Sequence, residues 1–242
     1  MKRLYVVLGL WLATLTAIGQ TKPFDGHWYV GADVGIFSNR TRMIVGELSK
    51  YAPAGSGVMP LYGLKIGRLV NPYLAIEAGV YAQPLNLVYQ YETNRATGAA
   101  PLHFVMFPVR VNYRLQVLNN YLEAQVGVGL QYVRAQGSLD TQIFEGSIVT
   151  PRHTSNDTLF YYGNVNVLRS NSVNAELSLG INWALSRRFT LNVYGRQVLG
   201  LVNVASVVVN IRQNQEPVEK AEFVSRGSGF NLGFGIRYHL KK

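Results

Sequence analysis

The chain has 242 residues and no cysteine, and its 23 Lys and Arg outnumber its 13 Asp and Glu, for a net charge of +10. Hydrophobic residues make up 48% of it, which is too much apolar surface for a disordered chain. The lack of cysteine excludes a disulfide scaffold and a thiolate metal site. Beyond residue 20 no uncharged apolar run reaches about 18 residues, which excludes a helical membrane bundle. The basic residues form no compact cluster, so we expect no nucleic-acid partner.

The first twenty residues have the pattern of a secretory signal peptide. Lys2 and Arg3 give the basic start, residues 4–18 are apolar, and the small residues Ala17 and Gly19 fit the cleavage rule. We therefore predict that residues 1–19 are removed on export and that residues 20–242 form one domain.

Eight segments of the remaining chain alternate apolar and polar residues with the period of two that is typical of β-strands. In chain order they are residues 27–38, 60–70, 73–83, 102–115, 120–133, 173–185, 189–197 and 229–240. In segment 120–133, for example, Leu122, Ala124 and Val126 alternate with polar residues or glycine. The sequence therefore predicts an all-β protein with eight main strands.

The connections between these segments are short and long by turns. Those at 71–72, 116–119 and 186–188 are tight, whereas those at 39–59, 84–101, 134–172 and 198–228 are long. This alternation is typical of an eight-stranded antiparallel up-and-down transmembrane β-barrel with short periplasmic turns and four long extracellular loops. Strand-like runs at 142–149, 158–167, 202–211 and 218–224 predict that the loops extend the hairpins outward as a stiff rim.

Each predicted strand places a charged residue on the face opposite its apolar side chains. The eight are Asp33, Lys65, Glu77, Arg110, Glu123, Glu176, Arg196 and Arg237. A charge facing lipid is costly, whereas opposite charges inside a narrow barrel can pair. Eight strands enclose only enough space for side chains. We therefore predict a network of these eight residues that plugs and stabilises the lumen.

Three parts of the sequence resemble a known group of proteins. The signal peptide, segment 107–113 (Phe-Pro-Val-Arg-Val-Asn-Tyr) and segment 233–240 (Gly-Phe-Gly-Ile-Arg-Tyr-His-Leu) resemble the PorT-like outer membrane protein β-barrel families. The alternating layout is also similar to the small OmpA-type barrels. This resemblance implies a multi-pass barrel in the bacterial outer membrane. The expected partners are outer-membrane lipid and lipopolysaccharide, the barrel-assembly machinery and surface or secretion-system proteins.

One short motif favours an enzymatic alternative. His153 and Ser155, in the longest loop, form a His-x-Ser run that resembles the catalytic motif of outer-membrane lipid A 3-O-deacylases. A histidine base beside a serine hydroxyl can generate a nucleophile. The four histidines lie too far apart for metal-ligand spacing, so no metal or cofactor is expected.

Three functions follow from these observations. A monomeric barrel with a structural or surface-interaction role fits the plugged lumen and the long loops. A lipid A-modifying hydrolase is the enzymatic alternative, and a narrow passive pore is the transport alternative.

Overall fold

The computed structural model describes residues 28–46, 51–52, 57–91, 96–118, 122–136, 142–151, 156–186 and 188–240. Twelve strands run through these residues: β1 (Trp28–Val45), β2 (Tyr51–Ala52), β3 (Gly57–Asn71), β4 (Leu74–Tyr91), β5 (Ala96–Leu118), β6 (Leu122–Ala135), β7 (Gln142–Pro151), β8 (Asn156–Val167), β9 (Asn171–Ala184), β10 (Phe189–Gly200), β11 (Ala205–Gln213) and β12 (Glu219–His239). Within the same residues no helix is long and apolar enough to cross a membrane. The predicted signal peptide, residues 1–19, lies outside the described residues and stays a prediction.

Eight of the strands form a closed antiparallel barrel, in the order β1, β3, β4, β5, β6, β9, β10 and β12. The barrel closes through β1 and β12, which pair from Tyr29 opposite His239 to Asn39 opposite Gly229. Because the first and last barrel strands pair, this part of the sheet leaves no open edge. The predicted eight-stranded fold is confirmed, and each predicted segment falls on one of these strands.

The two ends of the barrel differ in their connections. At one end, here called the turn end, β3 joins β4 through residues 72–73 and β9 joins β10 through residues 185–188. The first residue of β1 and the last residue of β12 also lie at the turn end. The opposite end, here called the loop end, carries the longer connections. The predicted alternation of short and long connections is confirmed for the described residues except between β4 and β5, whose strands continue to Tyr91 and Ala96.

Several barrel strands extend further toward the loop end than predicted. β4 and β5 remain paired as far as Tyr91 opposite Ala96, so the gap predicted at 84–101 is mostly a β-hairpin. The gap predicted at 39–59 is similarly shortened by β1 and β3. The cause is a reversal of the hydrophobic alternation: on β4 Val80 points outward, whereas Leu85 and Leu87 point inward and are buried. A strand predicted from outward-facing apolar side chains therefore ends earlier than the real strand does.

The loop end carries a second group of strands that confirms the four predicted strand-like runs. β11 pairs with the first part of β12, from Ala205 opposite Ser225 to Ile211 opposite Glu219. β8 pairs with β11, and β7 pairs with β8. These three strands and the start of β12, here called the loop sheet, continue the barrel wall beyond its loop end.

The outer surface of the barrel is apolar. Each of the eight barrel strands exposes at least one large hydrophobic side chain: Val34, Leu64, Val80, Val109, Val128, Leu179, Val193 and Phe234. Aromatic pairs lie at the turn end, where the rings of Tyr73 and Tyr113 stack at 6.2 Å and those of Phe189 and Tyr238 lie 5.2 Å apart. The barrel is therefore inverted relative to a protein with an apolar interior and a polar surface.

Candidate functional site

The lumen near the turn end and at mid-barrel is filled with polar side chains. Seven of the eight predicted lumen residues are at most 4% exposed: Asp33, Lys65, Glu77, Arg110, Glu176, Arg196 and Arg237. They lie on seven different barrel strands, and the alternation of each strand turns them inward. Their contacts form two groups, one around Asp33 and Glu176 and one around Glu77.

Asp33 on β1 is the centre of the first group. Its carboxylate forms one ion pair with Lys65 Nζ at 2.7 Å and another with Arg196 Nη2 at 2.8 Å. The Tyr81 hydroxyl donates a third contact to Asp33 Oδ2 at 2.7 Å. Side chains from three other strands therefore converge on one buried carboxylate.

Glu176 on β9 joins the same group from the other side of the lumen. Arg110 forms a bidentate ion pair with Glu176, in which Nε lies 2.5 Å from Oε1 and Nη2 lies 3.1 Å from Oε2. The Gln131 amide also donates to Glu176. Arg110 Nη1 donates to the Tyr81 hydroxyl at 3.1 Å, which links this carboxylate to Asp33 across the lumen. A planar guanidinium is suited to such a double contact because its donors match the spacing of the carboxylate oxygens.

Glu77 on β4 organises the second group. It accepts a contact from Arg237 Nη2 at 2.8 Å and a hydrogen bond from the Tyr29 hydroxyl at 2.7 Å. Arg237 also donates to Asn182 Oδ1 and Gln125 Oε1, each at 3.0 Å. The guanidinium of Arg237 therefore contacts acceptor oxygens on three other strands, β4, β6 and β9.

Glu123, the eighth predicted residue, lies apart from both groups. It is the second residue of β6, at the turn end, and its ion pair is with Arg114 on the neighbouring β5. The side chains of this pair are 20% and 11% exposed, so it is only partly buried. Its position near the end of the strand brings Glu123 to Arg114, and its membership of a network with the other seven residues stays a prediction.

Three tyrosines complete the packing of the lumen. Tyr29 and Tyr81 lie directly opposite Gly67 and Gly63 on the adjacent strand β3, and Tyr194 lies opposite Gly233. A Cβ atom at Gly233 would lie 2.6 Å from the Tyr194 hydroxyl, so a larger residue there would force the ring to move. The guanidinium of Arg196 stacks 3.5 Å from the centre of the Tyr194 ring. Glycine is therefore required where an aromatic ring crosses the narrow interior.

The lumen near the loop end is filled by apolar side chains. On β11 the side chains of Val207 and Val209 are completely buried, and Phe37 and Leu87 are buried with them. This cluster, here called the apolar core, consists of Phe37, Leu61, Tyr81, Leu85, Leu87, Leu102, Phe104, Met106, Val133, Val165, Val198, Val204, Ala205, Val207, Val209, Ile211, Ala221 and Phe223. Tyr81 belongs to both layers, with its ring in the apolar core and its hydroxyl on Asp33.

The residues of the enzymatic alternative cannot be placed in this architecture. His153 and Ser155 lie outside the described residues, so the hydrolase stays a prediction. Of the other histidines, His103 is exposed and His239 Nε2 lies 3.0 Å from the Thr190 hydroxyl. No three His, Asp or Glu side chains in the described part of the chain are grouped so that they could hold a metal ion.

Several contacts in the lumen were not predicted from the sequence. Tyr29 and Tyr81 share the inward parity of the predicted charges, so the same alternation could have identified them as network members. Arg114 has that parity as well. The apolar core had no comparable signal, because it joins side chains of β11 to those of barrel strands that are distant in sequence, such as Leu87 and Phe37.

The fold and the filled lumen define a closed eight-stranded antiparallel β-barrel with an apolar exterior, whose interior is polar toward the turn end and apolar toward the loop end. The sequence matches no protein-family model and no curated protein. Among solved structures, the N-terminal β-barrel domain of Pseudomonas aeruginosa OprF is similar at a TM-score of 0.44 and 11% identity, over 90% of this chain and 100% of that chain. Neisserial surface protein A is similar at 0.42 and 13%, over 90% and 99%. Outer membrane protein W of Escherichia coli is similar at 0.41 and 14%, over 89% and 98%.

Proposed function

We propose that the protein is a non-conducting β-barrel of the bacterial outer membrane that anchors the loop sheet outside the cell. The single observation that carries this proposal is the lumen, which is filled by ion pairs in one half and by the apolar core in the other. The role is structural or in surface interaction, and the protein acts as a monomer.

The membrane location is supported by the distribution of polarity. The outward positions of all eight barrel strands carry exposed hydrophobic side chains, and the buried charges are inside. Exposed apolar surface of this extent is not maintained by soluble monomers. A closed barrel can enter lipid because every backbone polar group in its wall has a partner on a neighbouring strand.

The lack of conductance is supported by the size and content of the lumen. An eight-stranded barrel encloses space for side chains only, whereas aqueous channels need about 16 strands. Here ion pairs such as Arg110 with Glu176 bridge the interior, and Val207 and Val209 are buried beyond them. An ion would therefore have to break buried ion pairs and also displace an apolar layer.

The proposal also covers orientation and partners. The turn end faces the periplasm and the loop end faces outward, as in other barrels of this type. Export through a signal peptide, insertion by the barrel-assembly machinery and contact with lipopolysaccharide follow from this location. Membership of the PorT-like families is part of the proposal and is supported by segments 107–113 and 233–240.

Planar-bilayer recording on the refolded protein tests the proposal. We expect no steady conductance from the native protein or from Lys65→Met, because both retain the apolar core. In an open pore, removing the Lys65 charge would instead increase the preference for cations. A steady conductance in the native protein, with ion selectivity that changes in the variant, would overturn the closed-barrel function.

A further inference from the structure

Three arginines surround a crevice on the outside of the barrel near its loop end. The crevice has a volume of about 210 Å³ and lies between β1 and β12. Its lining includes Arg40, Arg42, Arg226, Asn203 and Ser228. All three arginines point outward and are exposed.

The crevice is produced by an irregularity in β12. On β1, Asn39 and Thr41 are two residues apart, but their partners on β12, Gly229 and Ser225, are four residues apart. The extra residues form a bulge at 226–228 in which Gly227 has a φ of +71°, a left-handed conformation that favours glycine. β12 changes its second neighbour here from β11 to β10, so the wall opens locally. The bulge presents Arg226 and Ser228 beside Arg40.

The height of the crevice coincides with the edge of the apolar surface. Arg40 is twelve residues along β1 from Trp28, and Arg226 lies at the same level, because the adjacent Ser225 pairs with Thr41. Twelve residues of a strand tilted by about 40° rise roughly 30 Å. The apolar band of an outer-membrane barrel is about 25 Å tall. With Trp28 and Tyr238 at the periplasmic interface, the arginines therefore reach the headgroups of the outer leaflet.

The charge of the crevice is not neutralised by carboxylates in the described part of the chain. There, no Asp or Glu forms an ion pair with Arg40, Arg42 or Arg226. Arg226 Nε instead donates to Asn203 Oδ1 at 3.3 Å, which orients its guanidinium at the rim. Glu222, four residues from Arg226 on the same face of β12, forms no ion pair with the three arginines.

We propose that this crevice binds a phosphate group of a phospholipid-like glycolipid of the outer leaflet, such as lipid A. Guanidinium groups match the geometry of phosphate oxygens and form charge-assisted hydrogen bonds with them. The acyl chains of the same lipid would lie on the apolar wall below, against side chains such as Ile36 and Phe230, which are exposed. The inference rests on the proposed membrane location and adds to it a specific lipid site.

The test measures binding of purified lipid A to the protein in detergent micelles. The variant combines Arg40→Gln and Arg226→Gln. The matched control is Arg134→Gln, because Arg134 is exposed, lies twelve residues from Leu122 on β6, and is on the barrel strand opposite β1. A closed barrel has no edge strand from which detergent can unfold it, so the unheated folded protein should migrate differently from the boiled protein on SDS gels. Each protein is first checked for this difference, so that all are compared in the folded state.

We expect the double variant to weaken lipid A binding at least about tenfold and the Arg134 control by less than about twofold. Removing both phosphates from lipid A should weaken binding by the native protein to the level of the double variant. Inorganic phosphate at millimolar concentration should compete poorly, because it lacks the acyl chains.

Three results would overturn the site. The double variant could bind as tightly as the native protein, the Arg134 control could lose as much affinity, or inorganic phosphate could compete as well as the lipid. The last result would indicate a site for free anions. A conducting native protein would disprove the closed-barrel function while leaving this binding comparison valid, so the two failures can be distinguished.

Discussion

Inward-facing carboxylates of this barrel should contribute unequally to its stability, although they carry the same charge. Glu176 is buried and receives two contacts from Arg110, whereas Glu123 is at the end of its strand and has a partly exposed partner. Removing one member of a buried pair leaves the other charge without compensation, which costs about 3–5 kcal/mol. A partly exposed pair contributes about 0–1 kcal/mol. Depth within the lumen therefore determines the contribution of each carboxylate.

Glu176→Gln should consequently destabilise the barrel much more than Glu123→Gln. The substitution preserves the size of the side chain but leaves Arg110 without its counter-charge. The measurement is the midpoint of urea unfolding of the refolded protein in detergent. We expect a clear decrease for Glu176→Gln and little change for Glu123→Gln. Equal midpoints for the two variants would show that burial of the network does not determine its contribution.

At the level of strands, the alternation of side chains predicted where the eight barrel strands lie but not where they end. In β4 the apolar side chains are outside at Ile76 and Val80, and inside at Leu85 and Leu87. The strand continues without interruption while its interior surroundings change from polar to apolar. Its apolar side chains therefore point outward in the first half and inward in the second half. The sequence identified the charged residues because inward parity holds along each strand. It could not identify their partners, which depend on the height of each strand in the closed barrel.

The apolar core can be tested on β11 itself. Val207→Thr replaces a completely buried methyl group with a hydroxyl of similar size, and a buried hydroxyl without a partner costs about 1–3 kcal/mol. Val208→Thr is the matched control, since Val208 points to the other face and is only partly buried. We expect protease cleavage of the loop sheet to become faster in Val207→Thr alone.

The eight barrel strands should remain protected in both variants, and the unheated and boiled samples should still differ in mobility on SDS gels. If both variants were cleaved at the native rate, the inward packing of β11 would not contribute to the stability of the loop sheet.

For the molecule as a whole, the arrangement of connections predicts which surface each end exposes. A single cysteine can be placed in the native chain without competition, because the sequence has none. Asn214 lies in the turn between β11 and β12 at the loop end, and Ser186 lies between β9 and β10 at the turn end. Both positions are exposed.

Asn214→Cys should react with a membrane-impermeant thiol reagent on intact cells, and Ser186→Cys should react only after the outer membrane has been opened. The expectation follows from the periplasmic location of short turns in barrels of this type. Labelling is measured by the mass increase of the purified protein. The reverse pattern would show that the barrel is oriented the other way.

The reversal of alternation along β4 also has a consequence for where the protein can reside. The apolar side chains of this strand change from the outer to the inner face over a few residues. In the proposed membrane location, the chain itself therefore specifies the hydrocarbon thickness that it fits. A thicker bilayer would bring the level of Arg40 and Arg226 into hydrocarbon, and a thinner one would leave exposed valines in water. Hydrophobic mismatch of this kind costs fractions of a kcal/mol per Å. The position of this reversal along β4 would thus favour retention of the protein in membranes of matching thickness.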